Sequence, residues 1–151
     1  MSVGEMCNRE VVVVGKGETV AEAVRLMRRH HVGDVVVVEV QGDVRLPVGM
    51  LTDRDIVIEI LAEDVALNSV VVEDVMSFEL LTAREDEEML DVLDRMRSRG
   101  VRRVPIVNAA GGLVGILTVD DMLELMAEYL GDLTRLVKRE REREARTRHH
   151  P

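Results

Sequence analysis

The chain has 151 residues, 46% of them apolar, which is enough to fill a core and too apolar for a disordered segment. Phe78 and Tyr129 are the only aromatics and the formal net charge is −9, which argues against a base-stacking platform or a surface that attracts nucleic acid. The single cysteine, Cys7, excludes an intrachain disulfide and a thiolate zinc cluster, and no apolar run approaches the roughly 18 residues of a membrane span, so a cytoplasmic protein with no membrane contact is expected.

In chain order, a short lead-in at Val3 to Cys7 is followed by a β-branched run, Val11 to Val14, that predicts a strand. Val20, Ala23, Val24 and Met27 then recur at helical spacing, with Thr19 placed to cap the helix start. Apolar runs at Asp34 to Val40 and Pro47 to Leu51 flank Gln41-Gly42-Asp43 and predict a hairpin, which leads into a helix from Asp53 to about Glu63. After a connection at 64–71 the order returns. It runs from a lead-in at Val72 to Met76 and a strand at Glu79 to Thr82 to a helix on Met89, Val92, Leu93 and Met96 that ends at Gly100. A hairpin of Arg103 to Val107 and Leu113 to Leu117 follows, then a helix from Val119 whose apolar face continues through Met126, Leu130, Leu133 and Val137.

The return is a true internal repeat. A shift of 69 residues lays Val3 to Cys7 on Val72 to Met76, Val24 on Leu93, Met27 on Met96 and Val35 to Val38 on Val104 to Val107. Past the hairpin turn the shift is 66, and Gly49-Met50-Leu51-Thr52-Asp53-Arg54-Asp55 lies on Gly115-Ile116-Leu117-Thr118-Val119-Asp120-Asp121. Each copy reads β-α-β-β-α, and a copy of about 60 residues is marginal alone. The expected fold is therefore mixed α/β (α+β): two pseudo-symmetric units, 1–63 and 72–130, packed as one globule, with an extended helix and basic tail at 131–151. Residues 132–151 carry seven bases against four acids, so the tail is +3 and the body −12.

The shared pattern Gly-φ-Leu-Thr-x-x-Asp falls at both strand-to-helix junctions. Thr52 and Thr118 sit where N-caps belong, with Asp55 and Asp121 three residues on, and capping alone accounts for the pattern in one copy. A helix start also offers unpaired N–H groups to a phosphate, the Thr hydroxyl reaches the same place, and a carboxylate one turn in accepts hydrogen bonds from a ribose diol. Arg54 beside the first start attracts phosphate, whereas its counterpart Asp120 repels it, so the first pocket is favoured for a phosphorylated ligand.

With these junctions, the Val-Glu-Asp-Val-Met lead-in at 72–76 and the Val-Arg-Arg-Val-Pro-Ile-Val run at 101–107, the chain resembles tandem CBS domains, the cystathionine-β-synthase-type pair called a Bateman module. The resemblance covers Val3 to about Leu130. It implies a regulatory, signal-transducing module that binds AMP, ADP, ATP or S-adenosylmethionine in clefts between the units. It implies Thr52 and Asp55 in one pocket and Thr118 and Asp121 in the other as ribose and phosphate contacts. Base-contacting positions would be Val11, Val12, Val35 and Val36, and Leu80, Leu81, Val104 and Pro105, all of which read more readily as core. Arg102 and Arg103 are further phosphate candidates. Val36 stands where the second unit has Pro105.

No nucleophile, base and orienting residue can be assembled, so no catalysis is expected, and no resident metal or required cofactor either, although a bound adenine nucleotide can bring Mg²⁺. Gly15-Lys16-Gly17 fails the Walker A pattern at Glu10 and Gly17, and Cys7 aligns with Met76 as a core residue. A homodimer whose packing responds to ligand, read by a partner protein, is the leading expectation. The alternatives are a non-catalytic assembly scaffold with vestigial pockets and nucleic-acid binding through the basic tail.

Overall fold

A computed structural model describes residues 1–148; the last three positions of the predicted tail, 149–151, lie outside the described residues. The chain forms one compact unit, Met1–Leu117, that holds two three-stranded sheets, and a second unit that starts at Thr118. The first repeat runs α1 (Val3–Met6), β1 (Val13–Gly15), α2 (Val20–His30), β2 (Asp34–Gln41), β3 (Val44–Thr52) and α3 (Asp53–Ile56). The second runs β4 (Ala83–Arg84), α4 (Met89–Arg99), β5 (Arg103–Val107), β6 (Leu113–Thr118) and α5 (Val119–Thr147). The order per repeat is the expected mixed α/β one.

In each sheet the first strand is parallel to the second, and the registers repeat: Val14 opposes Val37 and Gly15 opposes Val38, as Ala83 opposes Ile106 and Arg84 opposes Val107. These opening strands are shorter and later than expected from the β-branched runs at Val11 and Glu79. Propensity marks extended backbone, whereas a strand also needs a partner at hydrogen-bonding distance. The hairpin strand β3 starts at Val44 rather than Pro47, because Pro47 is accommodated at an edge strand beside a bulge where Val48 is the extra residue. The helix expected over Asp53 to about Glu63 is one α-helical turn followed by a π-helical turn, Val57–Leu61.

The unbroken valine run of β2 follows from burial on both faces. Val35 and Val37 join Val14, Val20, Ala23, Met27, Leu51 and Ile60 in a core under α2, while Val36 and Val38 pack on Leu113 and Ile116 of the second repeat. The repeats also exchange their lead-ins. Val3 and Gly4 donate backbone bonds to Glu87 and Glu85 of the second repeat, at 2.8 and 2.9 Å. Val72 and Glu73 donate to Glu18 and Lys16 of the first, at 2.8 and 3.0 Å. Each lead-in then crosses the other repeat's hairpin, with Asn8 bridging Ile116 and Ser77 bridging Met50. Apolar residues of the connection are drawn in as well: Leu67 and Val70 pack on the first core.

In the second unit α5 is an unbroken 29-residue helix. Met126, Tyr129, Leu130, Leu133, Leu136 and Val137 are exposed along it.

Candidate functional site

The crossing of lead-in over hairpin explains the glycine that opens each junction motif. A Cβ on Gly49 would stand 2.5 Å from Met76 Sδ and 2.8 Å from the Ser77 carbonyl oxygen, and one on Gly115 would collide with Cys7 Sγ and stand 3.0 Å from the Asn8 carbonyl oxygen. Two positions later the chain is buried at Leu51 and Leu117, and the next residue, Thr52 or Thr118, is the N-cap of a helix.

Both starts are full capping boxes. Thr52 Oγ1 accepts from Asp55 N at 3.1 Å and Asp55 Oδ2 accepts from Thr52 N at 2.9 Å. In the second unit Thr118 Oγ1 accepts from Asp121 N at 3.1 Å and Asp121 Oδ2 from Thr118 N at 3.4 Å. The caps hold each carboxylate still through one oxygen, and a carboxylate has acceptor capacity on its second.

Around the first box the two repeats enclose a cavity of about 260 Å³, a little under the ~300 Å³ where small-molecule pockets usually begin. The end of the first hairpin contributes Met50, Thr52 and Asp55. The stretch after the second lead-in contributes Ser77, Glu79, Leu80 and Leu81, and the entry to β5 contributes Val101, Arg102 and Arg103. Six residues expected to contact ligand thus meet in one place: Thr52, Asp55, Leu80, Leu81, Arg102 and Arg103. Leu80 and Leu81 are half-buried and offer an apolar wall.

Other expected positions lie elsewhere. Arg54 is exposed on α3 and does not line this cavity. Val35, Val36 and Val104 are enclosed in the core, at no more than 1% exposure, and Pro105 is buried beside them. Val11 and Val12 line a separate cavity of about 550 Å³ with Asn8, Glu10, Val13, Leu26, His30 and Val32. Asn8, Glu10, Val11, Val12 and Val32 are the repeat counterparts of Ser77, Glu79, Leu80, Leu81 and Val101. The match breaks at the cations: Gly33 and Asp34 occupy the positions of Arg102 and Arg103.

Asp34, which no motif of the sequence marks, lies outside the cavity lining and pairs with one of its arginines. Its Oδ1 lies 3.0 Å from Arg103 Nε, with the two side chains 13% and 35% exposed. Burial pushes the Asp34 carboxyl above the usual range, Arg103 opposes the shift and the nearby Asp53 adds to it. The repeat itself held the signal, because Asp34 and Arg103 are the same position in the two copies and bear opposite charges. Among the described residues, no three His, Cys, Asp or Glu side chains gather as a metal-binding group, and no helix is long and apolar enough to cross a membrane.

The profile of the CBS domain family matches twice, at residues 3–62 and 72–128. The chain belongs to the CBS domain family. The CBS domain-containing protein YhcV of Bacillus subtilis is 36% identical over 121 residues, 80% of this chain and 82% of that one. An uncharacterized protein of Methanopyrus kandleri, MK0525, is 36% identical over 125 residues, 83% of this chain but only 62% of its own length. Among solved structures, the CBS domain pair of protein MJ0100, in complex with 5′-methylthioadenosine and S-adenosyl-L-methionine, superposes with a TM-score of 0.71. It is 25% identical, over 83% of this chain and 99% of that one.

Proposed function

We propose that this CBS pair is a regulatory module that takes an adenosine-containing ligand (AMP, ADP, ATP or S-adenosylmethionine) in the cleft between Thr52/Asp55 and Leu80/Leu81. The observation that carries the reading is the convergence of a helix-start Thr/Asp corner, an apolar wall and two arginines on one cavity built from both repeats. Asp55 accepts from the ribose diol, Leu80 and Leu81 cover the base, and the arginines meet an anionic group. The adenosyl ligands of the MJ0100 pair support the choice of class.

Binding changes the free energy of packing between the repeats only in so far as the ligand prefers one arrangement. A protein partner, or a second copy in a homodimer, reads the difference. The module is regulatory rather than catalytic. Titration calorimetry with AMP, ATP and S-adenosylmethionine tests it: binding is expected with at least one. Asp55→Ala is expected to weaken it by about 1 to 3 kcal/mol, the scale of a charged hydrogen bond. No heat and no thermal shift with any adenosyl ligand would overturn the proposal.

A second reading, an assembly scaffold with vestigial pockets, draws on the exposed apolar row of α5. It predicts that deleting residues 126–148 changes the oligomeric state in light scattering and leaves the protein indifferent to nucleotide.

A further inference from the structure

We infer that Arg103 is shared between Asp34 and the anionic group of a cleft ligand, so that binding an anionic ligand is coupled to uptake of a proton by Asp34. This rests on the cleft being the ligand site. Arg103 belongs to both settings at once: its Nε pairs with Asp34 at 3.0 Å, and the residue lines the cavity with Thr52 and Asp55. A guanidinium carries five donors in a rigid fork, so one edge can stay on Asp34 while the other turns to a phosphate-like oxygen.

The charges then have to be shared. The groups that face Asp34 are Arg103 from β5 and Asp53 from the first turn of α3, one attractive and one repulsive. Asp34 is shielded from water, with a side chain only 13% exposed. When a second anion draws on Arg103, the Asp34 carboxylate loses part of its counter-charge while Asp53 still repels it. Its neutral form is stabilised relative to the charged one, and solvent supplies the proton. A neutral ligand in the same cleft makes no such demand. The coupling belongs to this cleft alone, because the other repeat has Gly33 and Asp34 where Arg102 and Arg103 stand.

The test compares adenosine with adenosine 5′-sulfate, whose anionic ester does not titrate near neutrality, whereas the phosphate of AMP does. Calorimetry of the full chain at one pH, about 5.5, in buffers of different ionisation heat reads the protons exchanged. The expected result is fractional proton uptake with the sulfate and none with adenosine. In Asp34→Asn the sulfate's uptake is abolished, its affinity rises severalfold and adenosine affinity is unchanged. Sulfate binding without proton uptake in the unmodified protein overturns the coupling and leaves the ligand site standing. Failure of both ligands to bind overturns the site and the coupling together. The buffer comparison needs no variant, so it decides the matter even if Asp34→Asn does not fold.

Discussion

The first and second repeats place matching backbone at matching points and differ in the side chains it carries. Gly49 and Gly115 are both glycine because a foreign segment lies against each, and Leu51 and Leu117 are both fully buried. Gly33-Asp34 and Arg102-Arg103 share the entry to the second strand of their repeats yet have nothing chemical in common. Identity is kept at these two packing points and at the capping Thr52/Thr118 and Asp55/Asp121, and is lost at the cations of the cleft. Divergence in charge between the copies therefore marks where the two clefts differ in the ligand they can hold.

The largest effects should come where the copies agree. Gly49→Ala and Gly115→Ala should each cost about 2 to 3 kcal/mol in urea unfolding, the scale of overpacking in a close-packed interior. The comparison sharpens in the double variants. At Gly115 the nearest atom is the side-chain sulfur of Cys7, so Cys7→Ala should recover a large share of the loss. At Gly49 the Ser77 carbonyl oxygen stands 2.8 Å away and cannot be trimmed, so Met76→Ala should recover little. A sulfur is the nearest atom at both glycines, but the backbone oxygen stands 2.8 Å from a Cβ on Gly49 against 3.0 Å from one on Gly115. Equal rescue at both sites would break the idea that backbone closes the first more tightly.

Much of this was legible beforehand, for physical reasons. The repeat, the helices α2 and α4 and the capped junctions all follow from local signals: 3.6-residue periodicity, Thr19 accepting from Glu22 N at 3.3 Å, and Gly100 with φ of +66° at the end of α4. The Thr52/Asp55 corner was legible because a capping box is written within four residues. What stayed hidden was non-local. Ser77 and Glu79 reach the cleft only because the second lead-in crosses the first hairpin, and no spacing within either repeat encodes that crossing. Val35 and Val104 read more readily as core than as ligand contacts, and the packing of two sheets does bury them.

Where the copies differ in charge, the expected stability effect is smaller, because Arg103 offsets part of the burial cost of Asp34. The folded-state pKa of Asp34 is raised, so the folded protein holds that proton more tightly than the unfolded chain does. Below the unfolded value, about 3.9, both states are protonated and Asp34 costs nothing. As pH rises from there through the raised folded value, stability is lost, and the loss persists at neutrality. Asp34→Asn should therefore gain in melting temperature relative to the parent as pH goes from about 3.5 to 7. A gain in the opposite direction would mean that the ion pair outweighs burial.

The smallest effect concerns how the matching helices end. α4 stops at Gly100 and α2 at its repeat counterpart His31, and both residues are left-handed, with φ of +66° and +53°. Glycine adopts that conformation without a Cβ clash, whereas histidine is strained there. His31→Gly should stabilise the chain by about 0.5 to 1 kcal/mol, since the relief of strain exceeds the entropy glycine adds to the unfolded state, and Gly100→Ala should destabilise it by a similar amount. Neither residue lines the Thr52/Asp55 cleft, so nucleotide affinity should be unchanged in both variants. A stabilising His31→Gly with altered affinity would instead tie the end of α2 to the ligand site, and the two repeats would then differ in mechanics as well as in charge.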